Sequence, residues 1–465
     1  MSEKGRQTRG ANMRISHASG AADMTKGTIK MVFKSEKGLS DAELRAALEE
    51  YVDERMTRLA EQRRESGRDA GGRVRVLMLP PDFTRMYSGA GHITAMLTEI
   101  FAARAEEIEW DVMPALGTHV PMSREECETF FEGRVDYEKL LVHNWRDDVV
   151  KIGEVPGEFV SEVSEGLVST PIDVEVNRRI VSGDYDLIYS IGQVVPHEVV
   201  GMANYSKNIF VGCGGSSMIN SSHMLGAFYG MERIMGRDHS PVRQVFDYAE
   251  QHFLGSVPLG YILTVTTNTG DGVHIHGLFC GRERSGFEQA VAQSAELNFI
   301  RLDRPIKHCV VYLDPREFKS TWLGNKAVYR TRLAMADGGE LTVLAPGVER
   351  FGEDEENDRL IRKYGYVGRE NVLRLVDSPE CDDLRGNLSV AAHLIHGSSD
   401  GRFNITYCTE KVSEAEVRGV SFDWQSYAEA AKRYDPARLT DGWNTAPDGE
   451  EFYYISNPAL GLWSV

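Results

Sequence analysis

Apolar and polar residues follow two alternating periods along the chain, and these periods predict strands and helices in turn. Capping boxes at Ser40–Glu43 and Ser123–Glu126 mark the beginnings of two helices, because each serine and glutamate satisfy free backbone amides. Strands are expected at residues 28–34, 74–79, 107–113, 186–191, 209–211, 261–267, 273–280, 309–313 and 341–344. Further helices are expected at residues 93–103, 242–253, 286–298 and 323–336.

Because predicted strands alternate with predicted helices, the sequence indicates the α/β class with mostly parallel sheets. Ligands of such sheets bind beyond the carboxyl ends of the strands. Polar segments follow four predicted strands, at residues 82–85, at 117–119, from 197 onward and from 346 onward. We therefore expect the functional site at these strand ends, in a cleft between two domains.

The length of 465 residues exceeds what one core usually accommodates, so two α/β domains are expected. Residues 1–26 are polar and lack the apolar stretch of a signal peptide, which predicts a disordered N-terminal extension. Residues 27–298 should form the N-terminal domain and residues 299–440 the C-terminal domain. The aromatic-rich tail, residues 441–465, should pack on one of these domains.

The charge balance restricts the partners of this chain. With 52 basic and 70 acidic residues the net charge is −18, which argues against nucleic acid or an anionic membrane surface as the main partner. The six cysteines show no CxxC spacing, so neither a disulfide framework nor a thiolate zinc site is expected, and a reducing cytoplasm fits best.

The most informative segment holds two histidines and a lysine at wide intervals. His197 follows a predicted strand, Lys207 lies ten residues later, and His223 lies sixteen residues after Lys207. Small residues such as Gly201 fill the loop between them and allow a ligand to approach the backbone closely. Two polar motifs follow strands farther upstream, Asp82-Phe83-Thr84-Arg85 and Gly117-Thr118-His119-Val120-Pro121-Met122.

Together these motifs resemble the lactate racemase family, whose members carry a covalently bound nickel-pincer nucleotide. The family's Pro-His pair, glycine, lysine and metal-binding histidine correspond at every interval to Pro196-His197, Gly201, Lys207 and His223. The Asp-x-Thr-Arg and Gly-Thr-His-x-Pro-Met elements are also present, and the resemblance covers residues 70–350. It implies an isomerase, a racemase or epimerase, that inverts C2 of a 2-hydroxy acid.

The resemblance also implies catalytic roles. Lys207 would be joined covalently to the cofactor's pyridinium ring, and His223 would complete the square-planar coordination of nickel(II). The C2 hydrogen would leave as hydride, a reaction that requires a cofactor. His119 and His197 would exchange the hydroxyl proton, because inversion from both faces requires two bases and imidazole titrates near neutral pH.

The binding residues follow from the same resemblance. Arg85 would bind the substrate carboxylate or a phosphate through two hydrogen bonds. Lys326, in the second domain, resembles the family's substrate-carboxylate lysine. The other residues expected to bind the nucleotide are Asp82, Phe83 and Thr84, and the neighbours of Lys326 in substrate binding are Trp322 and Leu323.

Three positions depart from the lactate-specific pattern. Met86 replaces a proline, residues 204–206 are Asn-Tyr-Ser instead of a glycine run, and Leu323 replaces a polar amide. Residues 321–347 look like the longer family branch associated with sugar acids. The expected substrate is therefore an aldonic acid epimerised at C2, of the gluconate and mannonate type, and the cofactor-assembly enzymes are the expected partners.

Two alternatives remain open. His274 and His276 lie on one face of a predicted strand, a spacing that zinc enzymes use, although no third ligand is evident. A non-catalytic cofactor-binding protein of the same fold is the other alternative, and its mark would be the loss of His119 or His197, both of which are present. The fingerprints GxGxxG after a strand and GxxxxGK[ST] do not occur, so Rossmann and P-loop sites are not expected.

Overall fold

The structure is a computed structural model that describes residues 30–67, 69, 71–269 and 272–465. The extension expected at residues 1–26 lies outside these ranges. The elements of the first part of the chain are β1 (Lys30–Lys34), α1 (Asp41–Glu65), β2 (Val74–Leu79), α2 (Ala90–Ala102), β3 (Ile108–Val112), α3 (Arg124–Phe130), β4 (Val149–Val155), α4 (Gly157–Val163), β5 (Ile172–Asn177), α5 (Arg178–Val181), β6 (Leu187–Gln193), β7 (Pro196–His197), β8 (Gly201–Met202), α6 (Ser216–Tyr229), α7 (Met231–Ile234), α8 (Pro241–Phe253), β9 (Leu259–Thr269), β10 (Gly272–Gly281) and α9 (Arg284–Asn298).

The second part of the chain repeats the alternation of strands and helices. Its elements are β11 (Phe299–Arg301), β12 (Ile306–Tyr312), α10 (Thr321–Gly324), α11 (Lys326–Thr331), β13 (Met335–Ala345), α12 (Glu355–Tyr364), α13 (Arg369–Asp377), α14 (Asp382–Arg385), α15 (Leu388–His396), β14 (Phe403–Thr409), α16 (Glu414–Gly419), β15 (Asp423–Ser426), α17 (Tyr427–Arg433), β16 (Gly442–Thr445), β17 (Glu451–Ile455) and β18 (Leu462–Ser464).

Each part of the chain is built around a six-stranded sheet. The first sheet has the order β1-β10-β9-β6-β2-β3, in which β9, β6, β2 and β3 are parallel. The second has the order β15-β14-β13-β12-β17-β16, with the antiparallel strand β16 at one edge. The expected α/β class with mostly parallel sheets is thereby confirmed.

The tail expected at residues 441–465 contributes three strands, two of them to the second six-stranded sheet. β16 and β17 belong to the second sheet, and β18 pairs in parallel with β11. The boundary proposed between residues 298 and 299 falls between α9 and β11.

Both faces of the first sheet are buried, as alternate residues of β2 show. Val76 and Met78 pack with α1 and α2 on one face, whereas Leu77 and Leu79 pack with α8 and β5 on the other. Helix α6 joins the two parts of the chain, because its residue Met224 belongs to the apolar core of the second sheet. No helix in the described part of the chain combines the length and the apolar character that crossing a bilayer requires.

Two expected elements were wrong. The strand expected at residues 209–211 is a π-helical turn, Asn208–Gly212, which follows Lys207 directly. The helix expected at residues 323–336 is two short helices, α10 and α11, broken at Asn325, and the chain already enters β13 at Met335. Residues 209–211 are a short apolar run, in which the period alone does not separate a helix from a strand.

Candidate active site

One cavity lies beyond the carboxyl ends of β2, β3 and β6, which are neighbours in the first sheet. Each of these strands is followed by one of the polar motifs, so their side chains converge there. Helices α10 and α11 of the second part of the chain form the opposite wall. The sequence-predicted site residues that line this cavity are Asp82, Thr84, Arg85, His119, His197, Lys207, His223, Trp322, Leu323 and Lys326.

Phe83 is the sequence-predicted site residue that the cavity lining does not include. Its side chain packs in the apolar cluster that α1 and α2 form and lines a different cavity, together with Met86 and Ile275. Its backbone amide donates to the sulfur of Met122 at 3.1 Å. The nucleotide contact expected from the Phe83 side chain therefore receives no support from the structure.

Lys207 presents a free amine to the cavity. Its ammonium group makes no hydrogen bond or ion pair with any residue in the described part of the chain. Burial, assisted by the positive charge of Arg85, lowers the pKa of Lys207 to about 8. A substantial share of the side chain is therefore a neutral, nucleophilic amine near physiological pH, as the formation of a covalent bond through a lysine requires.

His223 lies on α6 and has one ring nitrogen engaged. Its Nδ1 donates to the backbone oxygen of Ile219 at 2.6 Å, which leaves the lone pair of Nε2 free. Burial lowers the pKa of His223 to about 4, so the ring is neutral at physiological pH. A neutral imidazole whose tautomer is fixed by a backbone carbonyl is the usual form of a metal-binding histidine.

His119 is held by a buried carboxylate. Its Nδ1 donates to Oδ2 of Asp82 at 2.6 Å, and Asp82 itself is 4% exposed. Burial disfavours the charge of both groups, but their mutual attraction outweighs it, raising the pKa of His119 and lowering the pKa of Asp82.

The second oxygen of Asp82 is also engaged. Its Oδ1 accepts from the backbone amide of Thr84 at 3.1 Å and from the Thr84 hydroxyl at 2.5 Å. Both carboxylate oxygens therefore have protein partners, and Asp82 positions His119. The contact with the nucleotide that the sequence suggested for Asp82 stays a prediction. The separation of 37 residues between the two gave no local signal for this pair.

His197 has the opposite hydrogen-bonding pattern. Its Nδ1 accepts from the backbone amide of Val199 at 3.2 Å, so the neutral ring carries its proton on Nε2. Burial, followed by the nearby charges of Lys207 and Arg85, holds the pKa of His197 well below its usual value.

A tight hairpin places His197 in the cavity. Gly201 pairs with His197 in register and adopts φ +91°, which favours glycine. A Cβ atom at Gly201 would lie 1.9 Å from the backbone oxygen of Arg237, so no larger residue fits there. The close approach of the backbone that the sequence indicated at Gly201 is therefore made to the protein itself.

Positive side chains approach the cavity from both parts of the chain. The side chain of Arg85 makes no hydrogen bond or ion pair with the described residues, so its guanidinium is available to an anion. Lys326 donates to Oε1 of Glu317 at 2.8 Å, and both side chains are buried. Sequence reasoning missed Glu317, because no motif links it to Lys326.

Trp322 and Glu198 complete the wall beside Lys326 and His197. Trp322 stacks on His393 with ring centroids 4.2 Å apart, which fixes the indole at the cavity surface. The Glu198 carboxylate lies 3.5 Å from Nδ1 of His197 and lines the same cavity. Glu198 was also missed, although its position directly after His197 was a usable signal.

The zinc site considered at His274 and His276 gains no support. Nε2 of His276 contacts the Thr267 hydroxyl at 2.8 Å and its Nδ1 contacts the Ser35 oxygen at 3.1 Å, so neither ring nitrogen is left for a metal. In the ranges that the structure describes, the one cluster of three potential ligands is a different one, formed by Asp238, His239 and Glu288.

Comparison with known proteins identifies a known domain in the first part of the chain. Residues 34–234 match the model of the lactate racemase N-terminal domain. A crystal structure of a Thermotoga maritima protein shares the fold with a TM-score of 0.75 and 22% identity, covering 91% of this chain and 100% of that one. The lactate racemase apoprotein of Thermoanaerobacterium thermosaccharolyticum is similar, with a TM-score of 0.61 and 15% identity. The match covers 90% of this chain and 93% of that one. No curated protein matches the chain in sequence. Residues 34–234 of this chain therefore form a lactate racemase N-terminal domain.

Proposed function

We propose that this protein is a racemase or epimerase that inverts C2 of a 2-hydroxy acid with a nickel-pincer nucleotide attached to Lys207. The observation that carries the proposal is the convergence of a free lysine amine, a metal-competent histidine and two further histidines on one cavity. The family match over residues 34–234 supports a racemase-like activity.

The residues present fit this cofactor. Lys207 offers an unpartnered amine whose pKa is lowered to about 8 by burial, and His223 offers the free Nε2 of a neutral imidazole. The free imidazole nitrogen of His223 would bind nickel(II), and the Lys207 amine would form the covalent attachment. When bound, the cofactor supplies an acceptor for the C2 hydrogen as hydride, which a protein side chain does not provide.

The two remaining histidines differ in what they offer to the substrate hydroxyl. Nε2 of neutral His119 is an acceptor, because Nδ1 donates to Asp82, and the raised pKa makes this ring the stronger base. Nε2 of His197 is a donor, because Nδ1 accepts from Val199. One ring can therefore withdraw the hydroxyl proton while the other donates a hydrogen bond, and the pair can act from two sides of the substrate.

Arg85 and Lys326 hold the substrate carboxylate in this proposal. The Arg85 guanidinium has no competing partner among the described residues, and its planar donors match a carboxylate. Lys326 is oriented by Glu317, which keeps its ammonium at the cavity wall. Because these two residues come from different parts of the chain, a bound carboxylate would bridge them.

An aldonic acid is the substrate class that we propose, of the gluconate and mannonate type. Its additional hydroxyl groups require polar partners beyond those that hold the carboxylate and C2. Glu198, Gln193 and Thr118 line the cavity and provide such groups. Lactate has no hydroxyl group other than the one on C2, so it would leave these polar side chains without a partner.

The cofactor proposal is tested by intact mass spectrometry of protein produced together with the cofactor-assembly enzymes. We expect an added mass that maps to Lys207 and nickel close to one per chain. Lys207→Arg should lack the added mass, whereas His119→Gln should keep it and lose activity. Zinc without an added mass would refute the proposal, and an added mass without any turnover would favour the non-catalytic alternative.

The substrate proposal is tested by nuclear magnetic resonance of C2 epimers with the loaded enzyme. Gluconate, mannonate and each enantiomer of lactate should be compared in D₂O at equal concentration. Conversion of the aldonic acids with little deuterium at C2 is expected, because hydride removal and return do not exchange the hydrogen with water. Faster conversion of lactate would refute the substrate class, and full deuteration at C2 would refute hydride transfer.

A further inference from the structure

The loop that precedes Lys207 has an unusual backbone. Asn204 and Tyr205 adopt φ +61° and +56° in succession, although neither is glycine. Residues with a side chain rarely adopt this left-handed region, because it strains their backbone. The surrounding structure must therefore hold this loop in place.

Arg243, on α8, holds the loop from one side. Its side chain is fully buried, and its Nη2 donates to the backbone oxygens of Met202 at 2.6 Å and Asn204 at 3.1 Å. Its Nη1 donates to the hydroxyl of Ser206 at 2.7 Å. One guanidinium thus contacts three of the five residues that precede Lys207 in the chain.

The ring of Tyr205 holds the loop from the other side. It stacks on Phe287 with centroids 4.9 Å apart and an interplanar angle of 15°, and it contacts Tyr261 at 4.3 Å. Its hydroxyl donates to the backbone oxygen of Arg282 at 2.9 Å. A glycine loop could not make these contacts, so the side chain compensates for the unfavourable backbone.

A second layer fixes Arg243 itself. Ser206 donates from its hydroxyl to Oδ1 of Asp247 at 3.1 Å, and Asp247 also pairs with Arg284. The guanidinium carbon of Arg243 lies 4.6 Å from the centroid of Phe287, which also stacks on Tyr205. The network therefore connects both sides of the loop.

We infer that Arg243 is the positioning residue for Lys207: it fixes the strained loop so that the lysine amine lies buried in the cavity for attachment of the cofactor. The attachment itself rests on the proposed function, whereas the positioning is a property of the apoprotein. The positive charge of Arg243 also contributes, after burial and Arg85, to the lowered pKa of Lys207.

The test uses the apoprotein and compares Arg243→Lys with the wild type. Lysines are acylated with acetic anhydride over a pH series, and Lys207 is quantified by peptide mass spectrometry. In the wild type the reaction should have its midpoint near the pKa of about 8. In Arg243→Lys the midpoint should rise by about one pH unit or more towards the usual lysine pKa of about 10.4, because a loosened loop exposes the amine to water.

Arg63→Lys is the matched control. Arg63 is also buried and donates to the backbone oxygens of Gly72 and Arg73, at the opposite end of the first sheet. The Arg63→Lys variant should unfold at a lower urea concentration than the wild type, and the acylation midpoint of its Lys207 should not change. An equal Lys207 profile in the wild type, Arg63→Lys and Arg243→Lys would overturn the inference and leave Arg243 with a structural role alone.

Ser206→Ala keeps the inference testable if Arg243→Lys does not fold. This variant removes the link between Arg243 and Asp247 but keeps the buried charges, and its Lys207 midpoint should also rise. An unchanged midpoint in Ser206→Ala would overturn the inference. Cofactor loading provides the second readout: if the midpoints shift as expected but no variant or wild type acquires the added mass, the proposed function fails and the positioning role stands.

Discussion

Replacement of Asp82 by asparagine removes the charge that holds His119 and keeps the shape of the side chain. In the wild type, Nδ1 of His119 donates to Oδ2 of Asp82 at 2.6 Å. The amide oxygen of the introduced asparagine can still accept this hydrogen bond, so the ring should keep its orientation. Asp82→Asn therefore isolates the electrostatic contribution of the carboxylate.

The magnitude follows from the type of hydrogen bond. A bond to a charged partner contributes about 1.5–3 kcal/mol and a neutral one about 0.5–1.5 kcal/mol, so protonated His119 should lose about 1–2 kcal/mol of stabilisation. This corresponds to a change of about 5- to 30-fold in its protonation equilibrium. The pKa of His119 should fall in Asp82→Asn, because the neutral ring becomes relatively more stable.

The same pair makes stability depend on pH. The pKa of His119 is raised, so its contribution is present below the usual histidine value and is lost as the pH rises through the folded value. The pKa of Asp82 is lowered, so its contribution is present above the usual carboxyl value and is lost as the pH falls through the folded value. Wild type and Asp82→Asn should therefore differ most in unfolding free energy between about pH 4 and pH 6.5.

The assay combines a histidine titration by nuclear magnetic resonance with urea unfolding at pH 5.5 and pH 9. His119→Gln identifies the His119 signal among the 13 histidines. Thr84→Val serves as control, since it removes one hydrogen bond to Asp82 and no charge. If His119 titrates at the same pH in Asp82→Asn and the wild type, or if the two proteins differ equally at both pH values, the proposed pairing is wrong.

Further predictions concern metal, stability and packing. Under the proposed function, His223→Gln should lower nickel in elemental analysis while an added mass on Lys207 remains, because one of the metal's ligands is lost. Lys326→Met should lower the unfolding free energy in urea by about 3–5 kcal/mol, because it leaves Glu317 buried without its partner, and the double variant with Glu317→Gln should recover part of the loss. His276→Ala should leave nickel content and turnover unchanged, which a zinc enzyme built on this residue would contradict. Gly91→Ala should lower the thermal midpoint, with a cost of about 1–3 kcal/mol, since its Cβ would lie 1.9 Å from the backbone oxygen of Phe130.

The sequence predicted the alternation of strands and helices and the convergence of its motifs at strand ends. Asp82, His119 and His197 meet because β2, β3 and β6 are adjacent and parallel, and their polar segments follow directly. Such a rule requires only the order of strands and motifs along the chain. It accounts for the wall of the cavity that the first part of the chain forms.

Pairings between distant positions could not be predicted in this way. Arg243 lies 37 residues after Ser206. No local sequence pattern indicates that a buried arginine donates hydrogen bonds to the backbone oxygens of a distant loop. The π-helical turn after Lys207 has the composition of a strand, and it follows directly on the loop with two positive φ angles. Tertiary contacts determine such pairings and conformations, and the periodicity of apolar residues carries no information about these contacts.

The division of the cavity between two sheets has a consequence for how such proteins diversify. The lysine and the histidine suited to the cofactor lie in the first part of the chain, whereas Trp322, Leu323 and Lys326 lie on two short helices of the second part. Under the proposed function, exchange of that short stretch should alter the preferred acid and leave Lys207 and His223 in place. A chimaera that carries residues 320–332 of a relative with another preference would thus be a direct route to a new catalyst.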